Sequence, residues 1–533
     1  MISSPQARPA ASLLRRAAPL VLAVLSGAGA ALAQPPFGLL PGVIGYGVLF
    51  RVVDGARGPR ALRSAALRAG LGGLGYFMVS LIWIYEPFQV DAADQGWMGP
   101  LAVPLMAALM ALFWAAAGAL YRRFAGAGVL RALWFAAALA AAEWARGHLL
   151  TGFPWDLPGE TWPAGSALSQ SAALVGAYGL TWLTLAAAAA LSLEGQGRPG
   201  RRLALAAVAV FAGLWGIGAA RIAKAPAIPL HAPRVRIVQA DIPQASKYDP
   251  AMFDQILGRY VALTARSEAG PPPDVVVWPE GAVPAALGEY LVPGTWTQAA
   301  VANALLPRQT LIVGGYRFAP GPKGQTLAYN SLEALRRTPD GLDLEATYDK
   351  YRLVPFGEFM PLDSLAQRLG IKQFVHVGDG FAPGPPPTPR RLEGLPPVQP
   401  LICYEALYPG FTRAGARRVG WRPDWIVNIS NDAWFGDGSG PRQHFNMARY
   451  RAIEEGLPVV RATPTGVSAI IDALGRVAPG ESLGLGGYGV VEGRLPAALP
   501  PTLYDQIGDG GLALFLLLSL LGVRWPRSSR SPS

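Results

Sequence analysis

Eight stretches of this sequence are apolar over about the length of a membrane-crossing helix, and they limit what the chain can fold into more than any other feature. They lie at 17–33, 37–53, 65–84, 100–121, 132–150, 166–193, 203–220 and 508–523. A helix needs about 20 such residues to cross the hydrocarbon core. Lipid cannot pair backbone N–H and C=O groups, so each span is expected to be helical. The bulk composition agrees, with 51% apolar and only 15% charged residues. The first stretch follows Arg15 and Arg16 and precedes Ala33-Gln34-Pro35, which is also the layout of a secretory leader. Further spans follow it directly, which favours an anchored helix.

Charge decides the orientation. With the N-terminus in the cytoplasm, the inside segments hold Arg8, Arg15 and Arg16, then Arg51, Arg57, Arg60, Arg63 and Arg68, then Arg122, Arg123 and Arg131. Arg198, Arg201 and Arg202 follow, and Arg524, Arg527 and Arg530 close the chain. Only Asp54 and Glu194 oppose them, while the outside loop 85–99 carries Glu86, Asp91 and Asp94 and no base. This is the positive-inside pattern. The overall charge of +11 therefore reports topology. It does not indicate a nucleic-acid partner, because the rest of the chain is net acidic. Seven spans that start inside end outside. We therefore expect spans one to seven over 1–225, an extracytoplasmic domain over 226–500, and the eighth span with a cytoplasmic tail over 501–533.

The extracytoplasmic segment alternates β-branched apolar runs with helical patterns, an α/β layout. The runs 234–240, 274–280, 310–318, 398–405, 424–430 and 467–473 predict strands, and 251–268, 295–307 and 443–456 predict helices. The first of these helices carries Phe253, Ile256, Leu257, Tyr260 and Leu263 on one face.

Three segments deliver a reactive side chain at or just past a strand end. Val275–Glu280 (VVVWPE) delivers Glu280, Asp349–Pro361 (DKYRLVPFGEFMP) holds Lys350 and Glu358, and Pro400–Glu405 (PLICYE) holds Cys403, the only cysteine of the chain. Carboxyl ends of strands are where α/β sites gather. A thiolate is the nucleophile, and a free thiol with a pKa near ~8.5 needs help to ionise. A carboxylate can take its proton, and an ammonium can stabilise first the thiolate and then an oxyanion. Singly, each residue has a plainer reading: a small apolar filler, a solvated carboxylate, a surface lysine. Four scattered histidines (His148, His231, His376, His444) and one cysteine give no metal-ligand spacing, so neither metal nor cofactor is expected.

In this order WPE, K-x-x-L-V-P-F-G-E and C-Y-E resemble the nitrilase superfamily. The resemblance implies an α-β-β-α sandwich with Glu280 as base, Lys350 as oxyanion stabiliser and Cys403 as nucleophile. Together with EWARGHLLTGFPW (143–155), QADIPQ (239–244) and NDAWFGDGSGPRQH (431–444), the set resembles the apolipoprotein N-acyltransferase family over nearly the whole chain. That family is a bacterial inner-membrane enzyme with eight spans and a periplasmic catalytic domain. It passes an acyl chain from a phospholipid, typically phosphatidylethanolamine, to the N-terminal amine of a diacylated apolipoprotein. The resemblance implies Glu358, Tyr404 and Glu405 as supporting residues and places Trp434 on a substrate-facing loop. Phe435, Phe359 and Tyr248 join Trp434 as candidates for a lid or substrate contact. The chain is expected to act as a monomer. Two departures, Thr463-Pro464-Thr465-Gly466 and Tyr248 where the family often has Trp, leave the triad untouched. Glu143 and Arg146, near the end of the fifth span, are ionisable groups at membrane depth or its edge, with either a functional or a helix-tying role. Rival readings are a membrane-tethered amidase and a scaffold with a dead nitrilase-like domain.

Overall fold

The computed structural model describes residues 8–247, 249–268, 270–321, 324–360 and 380–524, with backbone alone for 8–16. The chain divides into two compact units, one drawn from Met1–Tyr85, Pro100–Ala220 and Asp509–Ser533, the other from Glu86–Gly99 and Arg221–Gly508.

The first unit is helical. Its main helices are Arg8–Ala31, Ile44–Asp54, Ala61–Ser80, Gly99–Phe124, Arg131–His148, Ala172–Leu191, Gly197–Ala223 and Gly510–Ser519. Small residues let the helices touch backbone to backbone, since lipid leaves van der Waals packing as the main adhesive. A Cβ added at Gly75 would stand 2.1 Å from the Val24 carbonyl oxygen. Among the described residues, three helices are long and apolar enough to cross a membrane: Ala92–Phe124, Leu168–Leu191 and Gly197–Ala223. Ala61–Ser80 with Ile82–Gln89 makes a fourth if this pair, bent by 46°, is one span. The predicted run 37–53 is a 3-10 turn at Leu40–Val43, opened by Pro41, followed by the eleven-residue helix Ile44–Asp54. The predicted run 508–523 holds a ten-residue helix and a 3-10 turn.

Glu143 and Arg146 are both fully buried and paired to each other. Trp114 Nε1 donates to Glu143 Oε1 at 2.7 Å, and Arg146 Nη2 donates to the Trp155 carbonyl at 3.1 Å. The pair ties two helices and the 153–155 loop of this unit together. A single buried charge here would be costly, and mutual pairing with hydrogen bonds offsets that cost.

The second unit holds two sheets. The strands are β1 (Arg234–Gln239), β2 (Val275–Val277), β3 (Thr310–Pro320), β4 (Thr326–Thr338), β5 (Gly341–Asp349), β6 (Val398–Ile402), β7 (Trp425–Ile429), β8 (Val459–Ala462), β9 (Ser468–Ile471), β10 (Val477–Leu483) and β11 (Gly489–Arg494). One sheet has the order β11-β1-β2-β3-β4-β5, the other β10-β9-β8-β7-β6. The strands before Glu280 and Cys403 are parallel to their neighbours, β2 to β1 and β3, and β6 to β7, whereas β5, before Lys350, runs antiparallel to β4.

The two-residue period of a strand sorts its side chains between two cores. Val235, Ile237, Val275, Val277 and Ile312 meet Ile402, Trp425, Val427, Ile429 and Val460 between the sheets. The alternate residues Val238, Val276, Trp278, Leu311 and Val313 meet Ile256, Leu257, Tyr260 and Leu263 of the helix Phe253–Ala265 and Val301 of the helix Trp296–Ala304. On the other sheet the helix Gly440–Glu455 packs against β8, and Gly415 of the helix Phe411–Val419 lies close to Gln399 of β6. The expected α/β domain is thus present.

The predicted strands are longer than the real ones at the site. The run 274–280 is a strand only at Val275–Val277, and 398–405 is a strand only to Ile402, after which Cys403–Leu407 is a 3-10 turn. The strands β4, β5, β8, β10 and β11 were not anticipated. For β4 and β5 the signal was Pro339-Asp340-Gly341, a hairpin turn between two runs; Gly341 has φ 137°.

Candidate active site

Glu280 stands three residues past β2. Trp278 N still donates to the Ile312 carbonyl at 2.8 Å, so the chain stays in register with β3 just before it turns away. Gly314 of β3 makes room for this segment, since a Cβ there would come 2.6 Å from Glu280 Cα. Lys350 follows β5 directly and is fixed on both sides by backbone bonds. Its N–H donates to the Asn330 carbonyl at 2.8 Å, and its carbonyl accepts from Gly384 N at 2.8 Å.

The Lys350 ammonium lies between two carboxylates, 3.2 Å from Glu280 Oε1 and 2.9 Å from Glu358 Oε1. Asn330 Nδ2 donates to the same two oxygens, each at 2.7 Å. Val354 N holds the other Glu358 oxygen at 2.8 Å. Burial opposes the charge on Lys350, but Glu280 and then Glu358 raise its pKa above that of an ordinary lysine. Burial would likewise neutralise Glu280, yet Lys350, Asn330 and Lys247 hold its carboxyl below the usual range. Glu280 is therefore ionised and able to take a proton.

Cys403 begins the turn after β6 with φ 49°, a left-handed backbone that a side chain adopts at a cost of about 1–2 kcal/mol. Burial pushes the pKa of the thiol up to about 12, with Glu280 adding to the effect and Lys350 and the Ser430 hydroxyl opposing it. The resting thiol is thus protonated beside an ionised carboxylate, which suits proton transfer at the moment of attack.

Glu405 is a brace. Its Oε2 accepts from Ile402 N at 2.8 Å, and its Oε1 from Tyr348 Oη at 2.8 Å, Tyr351 N at 2.8 Å and Arg352 N at 3.1 Å. One carboxylate so locks the strand end before Cys403 to the chain on both sides of Lys350. Burial pushes its pKa up to about 7 against these donors.

A buried polar network reaches the backbone of Cys403. His444 Nδ1 is 3.0 Å from Asp432 Oδ1, and His444 Nε2 is 3.2 Å from the Cys403 carbonyl oxygen. Ser430 Oγ donates to Asp432 Oδ1 at 2.7 Å, and Arg461 Nη2 reaches Asp432 Oδ2 at 2.6 Å. Burial acts against the Asp432 charge, but Arg461 and His444 hold its carboxyl well below the usual range.

Tyr404 is buried, its ring edge-on to Tyr408 at 5.4 Å. Trp434 is 38% exposed, and Phe435 is half-buried with its ring 5.7 Å from that of His444. Phe359 is half-buried, whereas Phe356, which was not singled out, is 58% exposed. Tyr248 lies outside the described residues. The departure at Thr463–Gly466 packs against the end of β1, where Thr465 Oγ1 donates to Asp241 Oδ1 at 2.8 Å. Asn330, Lys247, Asp432, His444 and Arg461 were missed as site residues. Only the quoted 431–444 motif hinted at two of them.

Comparison with known proteins adds the following. Residues 26–190 match the family described as Apolipoprotein N-acyltransferase N-terminal domain, and residues 234–492 match Carbon-nitrogen hydrolase. A protein of Caulobacter vibrioides named Apolipoprotein N-acyltransferase is 51% identical over 504 residues, covering 94% of each chain. A Bradyrhizobium diazoefficiens protein of the same name is 40% identical over 529 residues, covering 96% of each. Among solved structures, the Nesterenkonia AN1 amidase from the nitrilase superfamily aligns with 54% of this chain and 99% of its own, at 19% identity and a TM-score of 0.36.

Proposed function

The chain belongs to the apolipoprotein N-acyltransferase family, and from that premise we propose that Cys403 carries an acyl group from a phospholipid to the N-terminal amine of a diacylated apolipoprotein. The observation that carries the mechanism is Lys350 held between Glu280 and Glu358 at 3.2 and 2.9 Å, within the electrostatic reach of Cys403.

In the first half-reaction Glu280 takes the Cys403 proton as sulfur attacks an ester carbonyl. Lys350 faces the developing oxyanion. The ester C–O bond breaks, the lysophospholipid oxygen receives the proton from Glu280, and a thioester remains. In the second, a neutral amine attacks the thioester and Glu280 takes one of its protons. The C–S bond breaks, an amide forms, and the proton returns to sulfur. Glu358 and Glu405 hold the lysine and the nucleophile turn in place, and Tyr404 lies beside the sulfur. Trp434, Phe435, Phe359 and Tyr248 form a lid or acyl contact that keeps water from the thioester.

The donor is phosphatidylethanolamine and the enzyme works as a monomer. Eight spans anchor residues 1–225 and 501–533, both termini lie in the cytoplasm of a bacterial inner membrane, and residues 226–500 face the periplasm. Long acyl chains on both substrates explain why a hydrolase-type domain is joined to membrane helices.

Mass spectrometry of the purified chain tests this. After exposure to phosphatidylethanolamine Cys403 gains one acyl mass, and a diacylated lipopeptide then removes it as an N-acyl peptide. Release of free fatty acid alone would instead identify a hydrolase with water as the acceptor and would refute the transferase reading. Activity surviving in Cys403→Ala would refute the mechanism.

A further inference from the structure

Lys247 is a second buried lysine of the site, and the acyl-transfer steps above leave it unused. It ends the short helix Gln244–Lys247 and is 2% exposed. Its Nζ donates to the backbone carbonyl of Glu280 at 3.0 Å. The next residue, Gly281, has φ 59°, and a Cβ there would stand 2.6 Å from Lys247 Nζ. The chain beyond the base is thus shaped around this ammonium. With its amide oxygen turned toward the surrounding donors, Asn431 accepts from Lys247 Nζ at 3.1 Å and from Trp434 Nε1 at 3.2 Å. Lys247 therefore joins the base segment to the loop that continues into the Asp432 network.

We propose that Lys247 is the second cation of the acyl-transfer site, a positioning residue that anchors the Glu280 backbone and completes the charge balance of the cluster. Glu280 and Glu358 bring two negative charges to a buried space where Lys350 supplies one positive charge. A net charge left there would be costly in so poorly solvated a place. Lys247 brings the cluster to neutrality. Its field is felt at both Glu280 and Cys403. When the S–H bond breaks and an O–H bond forms on Glu280, the negative charge moves from carboxylate to sulfur and stays within reach of the same ammonium. Burial lowers the pKa of Lys247 to about 8, opposed by Glu280 and Cys403, so it is charged at neutral pH.

This role rests on Cys403 being the nucleophile, and the test separates the two ideas. Cys403 is the only cysteine, so iodoacetamide labelling of the full-length protein in detergent reads its thiolate alone. Lys247→Gln keeps a donor toward the Glu280 carbonyl but removes the charge; Lys247→Arg keeps the charge. The expected result is about tenfold slower labelling in Lys247→Gln, its pH profile shifted upward by about one unit, with Lys247→Arg recovering most of the loss. Labelling of Lys247→Gln at the unmodified rate would overturn the proposal. So would Lys247→Arg as slow as Lys247→Gln. If Lys247→Gln does not fold, the double variant Glu280→Gln/Lys247→Gln decides, since removing one charge of each sign should restore folding; failure to do so also overturns the proposal. A wrong nucleophile would show separately, as acyl transfer persisting in Cys403→Ala.

Discussion

His444 Nε2 lies 3.2 Å from the carbonyl oxygen of Cys403, and that contact fixes the residue whose backbone is left-handed. The other ring nitrogen rests on Asp432. In this way a buried imidazole couples the nucleophile turn to an acid and an arginine on β8. His444→Ala should free the turn and leave the Asp432 side of the network short of a partner. We expect about tenfold slower acylation of Cys403, together with a stability loss of about 1–3 kcal/mol. Adduct formation followed by mass spectrometry and thermal melting would measure both.

Asp432 predicts an acid limb of stability. Its folded pKa is depressed by Arg461 and His444 against the effect of burial. The stability it contributes is therefore present above its unfolded value of ~3.9 and is lost as pH falls below that toward the folded value. Melting temperature should drop more steeply below about pH 4 in the unmodified protein than in Asp432→Asn, although the variant is less stable at neutral pH. Equal slopes would remove Asp432 from this role.

Asn330 donates to both carboxylates that flank Lys350. Asn330→Asp would replace the donor with a third acid. Glu280 should then hold its proton to higher pH. The rate of Cys403 acylation should fall by about a hundredfold at neutral pH, and the ascending limb of the pH–rate profile should move upward. A reduced rate with an unmoved limb would mean that Asn330 only packs.

Glu405→Gln is nearly isosteric but turns an amide N–H₂ toward a backbone donor, in the arrangement that keeps the Tyr348, Tyr351 and Arg352 bonds. The Ile402 N–H would lose its acceptor, at a cost of about 1–3 kcal/mol. Slower acylation with little change in lipid concentration dependence is expected, because the brace touches the nucleophile turn and not the donor. A steady-state kinetic series over phospholipid concentration would show it.

Glu280 and Cys403 stood out as candidates because they follow short hydrophobic runs, whereas Lys350, which follows β5, was marked by its motif. Val275–Val277 and Val398–Ile402 are uniformly buried strands, so each stands out as a short β-branched stretch. β4 and β5 did not stand out. Their half-buried Arg336 and Arg337 and other partly buried positions broke the apolar signal, and Asn330 went unseen with them. Glu405 was visible beside Cys403, but its partners Tyr348, Tyr351 and Arg352 lie more than fifty residues earlier in the chain.

Sequence alone determined the apolar runs, the arginine asymmetry and the α/β alternation, and it marked Glu280, Lys350 and Cys403 as candidates, because these follow from local composition and motif order. Tertiary structure alone decided which two carboxylates face Lys350, which one braces the backbone, and which imidazole holds the Cys403 carbonyl. The physical reason is that a charge's role depends on its burial and its nearest partners. Glu280, Glu358 and Glu405 are the same residue in sequence, and only their neighbours in space set two of them against Lys350 and make the third a backbone brace.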